Sequence, residues 1–253
     1  MKNKIFLFGV ISLMWIGCKT PLNVANIHTE KNIYITSDLQ DDKAIDAVIQ
    51  PYKQELEGKM NAKISHTNTE LSKSGDNSNL GNLLADYTFE GAEEWAKKNS
   101  IPGIDAAVIN IGGIRTTIAK GDIFIKQIYE VMPFENEIVI IKMNSKDVDG
   151  LFDYYLKTQK NNPVSHLLIE TENGHISQKL INGKVIDPSK TYYIATSDYL
   201  ALGGDSMFFF SKGEMISTGI KMRDLFLDKF KQNPEISSPD DVRLIFKNKK
   251  LEE

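Results

Sequence analysis

The sequence predicts an α+β fold, with α/β as the open alternative, on three observations. Hydrophobic residues make up 41% and charged residues 25% of the 253 positions, as in ordinary soluble globular proteins. Some segments repeat apolar residues at helical spacing, whereas others are short runs of β-branched residues. These two kinds of segment do not alternate strictly, which disfavours a regular doubly wound sheet. The composition also excludes a disordered chain, a collagen-like fibre and a polytopic membrane protein.

The first half of the chain contains helical patterns before and after two strand patterns. Apolar residues at helical spacing predict a helix over residues 41–60, and Asp41 and Asp42 suit the positive end of its dipole. A polar loop at 68–79 precedes a second predicted helix over residues 80–95. The next predicted elements are two strands and a helix, at residues 105–110, 137–143 and 146–159.

The second half of the chain changes to the period of two that is typical of strands. Asn182-Gly183 is a strong hairpin signal, and it predicts paired strands at 176–181 and 184–186. A further predicted strand, 191–197, leads to a pair of glycines at 203–204. The remaining predicted elements are a strand at 167–170, a helix at 220–230 and a strand at 242–246.

The N-terminus resembles a bacterial lipoprotein signal. Two lysines precede an apolar run from Ile5 to Ile16, and Gly17 then precedes Cys18, the only cysteine of the chain. A charged start, a short apolar stretch and a small residue before the cleavage site are typical of an export signal. We therefore predict a signal peptide over residues 1–17 and lipidation of Cys18. The alternative is an ordinary signal peptide followed by an unrelated cysteine.

This N-terminal pattern sets the predicted organisation and location. A polar tether over residues 18–40 follows the signal, then a domain over 41–247 that begins with a linker-type helix at 41–60, then a tail at 248–253. The domain contains no cysteine, so core packing alone must stabilise it. We expect the protein to be lipid-anchored in the bacterial cell envelope, in the periplasm or at the outer membrane.

Charge and histidine content disfavour two classes of function. The 30 Lys and Arg against 34 Asp and Glu give a net charge of −4 without a basic stripe, so we expect no nucleic-acid binding. A two-metal hydrolase needs histidines and carboxylates that converge on the ions. We find no metal-binding motif, and we therefore expect no metal site, no cofactor and no catalytic residue on this chain. The four histidines are His28, His66, His166 and His175.

Polar and aromatic side chains at glycine-marked bends form a candidate binding site. Arg115 follows two glycines after a predicted strand, where its guanidinium can bind phosphate or carboxylate. Two aromatic rings, two amides and a carboxylate can bind a base and a ribose. By residue type alone, the same positions also fit core packing and ordinary turns. The candidates are Asn110, Arg115, Phe134, Asn136, Tyr199 and Asp205.

Five short motifs occur in order along the chain. They are SNLGNLLAD at 78–86, NIGGIR at 110–115, GDI at 121–123, PFEN at 133–136 and ATSDYLALGGD at 195–205. In this order and spacing they resemble the C-terminal, substrate-binding domain of the 5′-nucleotidase/UDP-sugar hydrolase family. The resemblance covers about residues 48–246, and it implies an α+β domain with mixed sheets layered α/β/β/α.

The resemblance also implies roles for the candidate residues. It implies that Phe134 and Tyr199 sandwich a nucleobase and that Asp205 binds the ribose hydroxyls of an AMP-like nucleoside or nucleotide. It places three further residues near the substrate, namely Asn110, Arg115 and Asn136.

Two positions depart from the family pattern. Family members usually carry one or two arginines just upstream of the SNLGN-like run, where this chain has Lys73 as its only cation. We therefore expect weaker phosphate binding or a different preferred ligand. Members often have Phe where this chain has Tyr199, an exchange that keeps the stacking ring and adds a hydroxyl group.

The family enzymes carry an N-terminal metallophosphatase domain, which we expect this chain to lack. The resemblance then implies a nucleotide-binding module in nucleotide catabolism. A separately encoded metallophosphatase would hold divalent metals and hydrolyse the phosphoester. One alternative is a free-standing nucleoside- or nucleotide-binding lipoprotein without a catalytic role, and another is a structural lipoprotein whose pocket no longer binds. A module that works with a partner should expose an apolar patch on the 41–60 helix.

Overall fold

The computed structural model describes residues 26–249. The predicted signal peptide, 1–17, and the predicted lipidation site Cys18 lie outside the described residues. Over residues 26–42 the chain contains no helix or strand, and its side chains are exposed. The described chain divides into two units after Val48, within the first helix. No helix between residues 26 and 249 combines the length and apolarity needed to cross a membrane.

The described residues form six α-helices and ten strands. The helices are α1 (Lys43–Met60), α2 (Asn79–Lys98), α3 (Ile125–Val131), α4 (Ser145–Thr158), α5 (Asp198–Ala201) and α6 (Met222–Gln232). The strands are β1 (Lys63–Thr67), β2 (Ala106–Val108), β3 (Gly121–Phe124), β4 (Glu137–Asn144), β5 (Val164–Ser165), β6 (Leu167–Glu172), β7 (His175–Ile181), β8 (Thr191–Ser197), β9 (Glu214–Lys221) and β10 (Leu244–Phe246). Three short 3-10 turns lie at Ile111–Gly113, Gly204–Ser206 and Phe208–Lys212.

A five-stranded mixed sheet in the order β5-β2-β8-β4-β9 forms the centre of the larger unit. Its strands β2 and β8 are parallel, with Ala107 opposite Ala195. Its strands β4 and β8 are antiparallel, with Ile138 opposite Ser197. A three-stranded sheet, β10-β6-β7, and the pair β1-β3 complete the strands. The predicted α+β class, with mixed sheets, is therefore confirmed.

The two faces of the central sheet are buried in two separate hydrophobic cores. Successive side chains of a strand point to opposite faces. Ile138 and Ile140 of β4 accordingly belong to one core together with residues of α2, α3 and α6. Val139 and Ile141 belong to the other core, together with residues of α4, β6 and β7. A continuous apolar strand such as β4 therefore joins two layers of the fold.

Side-chain caps fix where the two long core helices begin. The Ser78 hydroxyl accepts a hydrogen bond from the Gly81 N–H at 3.2 Å, at the start of α2. The Asn144 side-chain oxygen accepts one from the Asp147 N–H at 2.9 Å, at the start of α4. Each cap satisfies an N–H group that has no partner inside its helix. Both predicted helices are confirmed within a few residues of these starts.

The predicted hairpin around Asn182-Gly183 is only half right. Both residues have positive φ, of 55° and 70°, and the turn forms. The predicted strand at 184–186 is wrong, because only Lys184 pairs back, with Ile181. Val185 is 76% exposed, so no layer of the fold covers a strand there. The two-residue hairpin between β6 and β7 uses a different pair, Asn173-Gly174, both with positive φ.

Short and edge elements escaped the sequence prediction. The predicted helix at 220–230 begins two residues later, because Ile220 belongs to β9, which was not predicted. None of the β9 side chains is fully buried, so the apolar periodicity that marks a strand is weak there. The short elements β1, β3 and α3 were missed as well.

Candidate functional site

The candidate residues come from three strand ends that the topology places at one edge of the central sheet. The chain leaves β2 towards Asn110 and leaves β8 towards Tyr199, and these two strands are parallel neighbours. The carboxyl ends of parallel neighbours meet at the same edge. Since β4 runs antiparallel to β8, its amino end, which follows Asn136, lies at that edge too.

All six candidate residues line one cavity at this edge. The cavity has a volume of about 340 Å³, within the range of roughly 300–1,000 Å³ that is typical of small-ligand sites. Its described lining comprises Asn110, Gly112, Arg115, Phe134, Asn136, Tyr199 and Asp205. The structure thus brings together residues that lie up to 95 positions apart in the sequence, from 110 to 205.

The two aromatic rings of the cavity are half exposed rather than buried in the core. Phe134 retains 43% and Tyr199 44% of its accessible surface. The Tyr199 ring packs directly on Gly204, where a Cβ atom would lie 2.5 Å from its Cε1 atom. Only glycine allows that approach. The alternative that these rings serve as core residues is therefore not supported by their exposure.

A buried asparagine that the sequence analysis missed holds the 110–115 loop. Asn162 is fully buried, and its side-chain oxygen accepts a hydrogen bond from the Ile111 N–H at 3.0 Å. Its amide nitrogen donates to the Tyr154 hydroxyl at 3.1 Å. The Tyr155 hydroxyl donates to the Asn162 carbonyl at 2.8 Å. Helix α4 thus positions the loop through one polar side chain, whose sequence neighbourhood gave no signal of this role.

Arg115 lies between the loop and the Phe134 ring. Its backbone N–H donates to the Val131 carbonyl at 2.9 Å, which ties the loop to the end of α3. Its guanidinium donates to the Gly112 carbonyl at 3.1 Å, and the Cζ atom lies 5.9 Å from the centroid of the Phe134 ring. The side chain is exposed, so its remaining N–H groups can reach an anionic ligand.

A second residue missed from the sequence, Arg223, holds the loop that carries Phe134. Its guanidinium donates to the Pro133 carbonyl at 3.1 Å and pairs with the Glu135 carboxylate. The same guanidinium lies 4.5 Å from the centroid of the Tyr129 ring. The Arg223 side chain is only 11% exposed, whereas that of Glu135 is 69% exposed. The start of α6 therefore anchors the loop.

Asp205 lies in a turn that the Tyr199 hydroxyl holds. The hydroxyl donates to the Asp205 Oδ1 atom at 3.1 Å, and the Asp205 N–H donates back to the hydroxyl oxygen at 3.2 Å. Tyr154 lies within reach of the same charge. Burial raises the pKa of Tyr154 to about 12, and the negative charge of Asp205 adds to the rise.

Lys73, the only cation just upstream of the SNLGN-like run, lies beside this site. Its ammonium group donates a hydrogen bond to the Ile114 carbonyl at 2.8 Å, in the loop between Asn110 and Arg115. In this conformation Lys73 stabilises the backbone of the loop between Asn110 and Arg115.

The side chains do not form a metal centre in the described part of the chain. Between residues 26 and 249, no three His, Cys, Asp or Glu side chains lie close enough together to hold an ion. His66 instead contacts Asp122 at 2.8 Å. His166 stacks on Phe89 with 3.7 Å between the ring centroids. These residues do not fit the two-metal site of a metallophosphatase.

A larger cavity, of about 530 Å³, lies away from the candidate site. Three of its charged residues, Asp86, Asp241 and Arg243, are paired with one another, and a fourth, Glu90, is paired with Lys229. Arg243 donates to both Asp86 oxygens at 2.8 Å, and to Asp241 at 2.7 and 2.9 Å. The same guanidinium donates to the Val164 carbonyl at 2.7 Å. These bonds fasten the C-terminal segment to α2, and they leave little of the guanidinium for a ligand.

Comparisons with known proteins agree with this fold. The family model described as 5′-nucleotidase, C-terminal domain, matches residues 58–212. Protein UshA of Yersinia enterocolitica is 28% identical over 229 residues, which cover 85% of this chain and 38% of that protein. A 5′-nucleotidase of Vibrio vulnificus is 30% identical over 190 residues, which cover 69% of this chain and 32% of that protein. The chain spans about a third of the length of these curated relatives.

One solved structure shows the same fold. The crystal structure of a 5′-nucleotidase precursor from Thermus thermophilus superposes with a TM-score of 0.67 at 23% identity. The match covers 81% of this chain and 43% of the solved chain.

Proposed function

We infer the function from the family to which the chain belongs, the 5′-nucleotidase C-terminal domain family. We propose that the cavity of this chain binds the nucleoside part of an AMP-like nucleotide. The observation that carries the proposal is the cavity of about 340 Å³ lined by all six candidate residues. Family membership supports a role in nucleotide catabolism.

The proposed ligand matches the chemistry of the lining. Phe134 and Tyr199 offer half-exposed ring faces between which a base can stack. The Asp205 carboxylate can accept hydrogen bonds from ribose hydroxyl groups, and the exposed Arg115 guanidinium can bind phosphate. Asn110 and Asn136 each supply an amide that can donate to and accept from the ligand.

We further propose that a separately encoded metallophosphatase cleaves the phosphoester. Activation of water for this reaction needs divalent cations held by several converging ligands. In this proposal the partner protein holds those cations, while this chain supplies base and ribose recognition. Lipidation of Cys18, with a location in the bacterial cell envelope, would keep the chain near a membrane-bound partner and raise their effective concentration.

Exposed apolar side chains on α1 favour a partner-dependent module over a free-standing binding protein. Ile49, Tyr52 and Leu56 are 50%, 72% and 54% exposed, and no residue of the helix is buried. A free-standing binding protein does not need an exposed apolar helix face, whereas in a partner-dependent module the partner protein can cover that face.

Calorimetric titration with adenosine and AMP in metal-free buffer tests the binding proposal, on the soluble chain that starts at Lys19. We expect saturable binding, which Phe134→Ala or Asp205→Ala should weaken at least tenfold, as for a lost base stack or a lost charged hydrogen bond. Tyr52→Ala is the matched control, since it removes an exposed aromatic ring on α1. Equal affinities in all four proteins, or no binding by the folded unmodified chain, would contradict the proposal.

The division of labour is tested separately. We expect the purified chain to release no phosphate from AMP when Mg²⁺, Mn²⁺ or Zn²⁺ is added. Metal-dependent phosphate release by this polypeptide alone would refute the proposed partner.

A further inference from the structure

Asp205 has a backbone conformation that residues with a Cβ atom disfavour. Its φ is 51°, and the next residue, Ser206, has a φ of 66°. Left-handed backbone is usual for glycine but uncommon at two consecutive other residues. Such conformations persist where surrounding contacts hold them, and they cluster at binding sites. The contacts that hold Asp205 are therefore of functional interest.

One hydroxyl group makes both side-chain contacts that hold this residue. The Tyr199 hydroxyl proton is donated to Asp205 Oδ1 at 3.1 Å, while its oxygen accepts the Asp205 N–H at 3.2 Å. The hydroxyl thereby uses its donor and one acceptor position on the same residue. It fixes the carboxylate and the backbone of Asp205 relative to each other, which a phenylalanine ring at this position cannot do.

The hydroxyl itself is fixed by the packing of its ring. A Cβ atom at Gly204 would lie 2.5 Å from Tyr199 Cε1 and 2.6 Å from Cζ, the atom that bears the hydroxyl. The ring therefore lies on the backbone of the same turn that carries Asp205. Ring, hydroxyl and carboxylate form one closed unit of the Tyr199–Asp205 segment.

The second carboxylate oxygen of Asp205 remains available to a ligand. In the part of the chain that the structure describes, no protein group donates a hydrogen bond to Oδ2. Asp205 is partly exposed at the cavity wall. A carboxylate offers two oxygens with about four lone-pair positions. It can therefore accept from two adjacent hydroxyl groups when its plane is turned towards them.

We propose that the Tyr199 hydroxyl is a positioning group that orients the Asp205 carboxylate for the two adjacent hydroxyls of a ribose, and thereby makes the cavity prefer ribonucleosides to 2′-deoxyribonucleosides. The inference rests on the proposed function of the cavity. A 2′-deoxyribose presents one hydroxyl fewer, so it gains less from a carboxylate held in a fixed plane.

Tyr199→Phe tests the inference, because it keeps the ring and removes only the hydroxyl. The dissociation constants for adenosine and 2′-deoxyadenosine are measured by calorimetry on the full-length chain in mild detergent. We expect the substitution to weaken adenosine binding about tenfold and 2′-deoxyadenosine binding less than about twofold, as for one hydrogen bond of the orienting pair. Tyr52→Phe, at an exposed tyrosine of α1, should change neither constant.

A double substitution separates positioning from mere structural support. In the Asp205→Asn background, Tyr199→Phe should no longer alter the ratio of the two affinities. If Tyr199→Phe leaves the ratio of the adenosine and 2′-deoxyadenosine affinities unchanged, the inference is overturned while the proposed function stays intact. Absence of binding of either nucleoside by the folded unmodified chain would overturn both.

Discussion

Replacing Asn162 with Ala tests whether a buried amide supports the candidate site. The substitution removes the acceptor of the Ile111 N–H and the donor to the Tyr154 hydroxyl. A buried polar group left without its partner costs about 1–3 kcal/mol. Tyr154 is buried, whereas Ile111 is partly exposed and can be reached by water. We therefore expect the free energy of unfolding to fall by about 2–3 kcal/mol.

The same substitution should also weaken ligand binding, because Asn162 holds the loop that carries Asn110 and Arg115. We expect adenosine affinity to fall about tenfold, the equivalent of one lost hydrogen bond to the ligand. Urea unfolding followed by circular dichroism measures the stability, and calorimetry measures the affinity.

The neighbouring residue provides the matched control. The Asn161 amide donates to the Gly75 carbonyl at 2.9 Å in an exposed position, where water can replace it. Asn161→Ala should therefore cost less than about 1 kcal/mol and leave the affinity unchanged. A stability loss in Asn162→Ala no larger than that of Asn161→Ala, together with unaltered affinity, would refute this account of the loop.

Three further predictions follow from the anchoring contacts. Arg223→Met should weaken adenosine binding about tenfold, because it releases the loop that carries Phe134. Lys231→Met, on the exposed side of the same helix, should leave the affinity unchanged. Equal affinities of the two variants by calorimetry would contradict this prediction. Burial lowers the pKa of His166, so the unfolded chain takes up a proton that the folded chain excludes, and the free energy of unfolding falls as the pH decreases below about 6.5. His166→Asn, in which asparagine suits the φ of 59°, should reduce this pH dependence when it is measured by urea unfolding. An unchanged pH dependence would count against this account. Arg243→Met leaves the Asp86 and Asp241 carboxylates unpaired and should lower the unfolding free energy by about 3 kcal/mol. Lys59→Met, which removes one exposed ion pair with Glu55, should lower it by less than about 1 kcal/mol. Comparable losses in the two variants would show that the Arg243 ion pairs do not stabilise the fold.

Apolar periodicity predicted the elements that contribute most to the two cores. Helices α2 and α4 and strands β4 and β8 carry strong patterns, because one or both of their faces are buried. The edge strand β9 has no fully buried side chain, so its sequence carries no such pattern. The strand predicted at 184–186 shows the converse error, since a β-branched segment after a good turn still needs a layer to cover it.

The candidate residues could be selected from the sequence because they stand in local motifs at strand ends. The residues that hold them could not be selected in this way. Asn162 and Arg223 belong to no motif, and they act across separations of 51 and 90 residues. Their roles depend on which loop packs against them, and a single sequence does not display that.

The sequence by itself determined which residues are available at each strand end, where the long helices begin, and which family the chain resembles. These properties are local, because capping, turn formation and side-chain periodicity depend on neighbours along the chain. Only the tertiary structure decided that the ends of β2, β8 and β4 lie side by side, and that the Tyr199–Asp205 segment lines the same cavity as Arg115 and Phe134. Strand order and register are set by pairing between distant segments that must bury both faces of one sheet together, so they emerge only when the whole chain is packed.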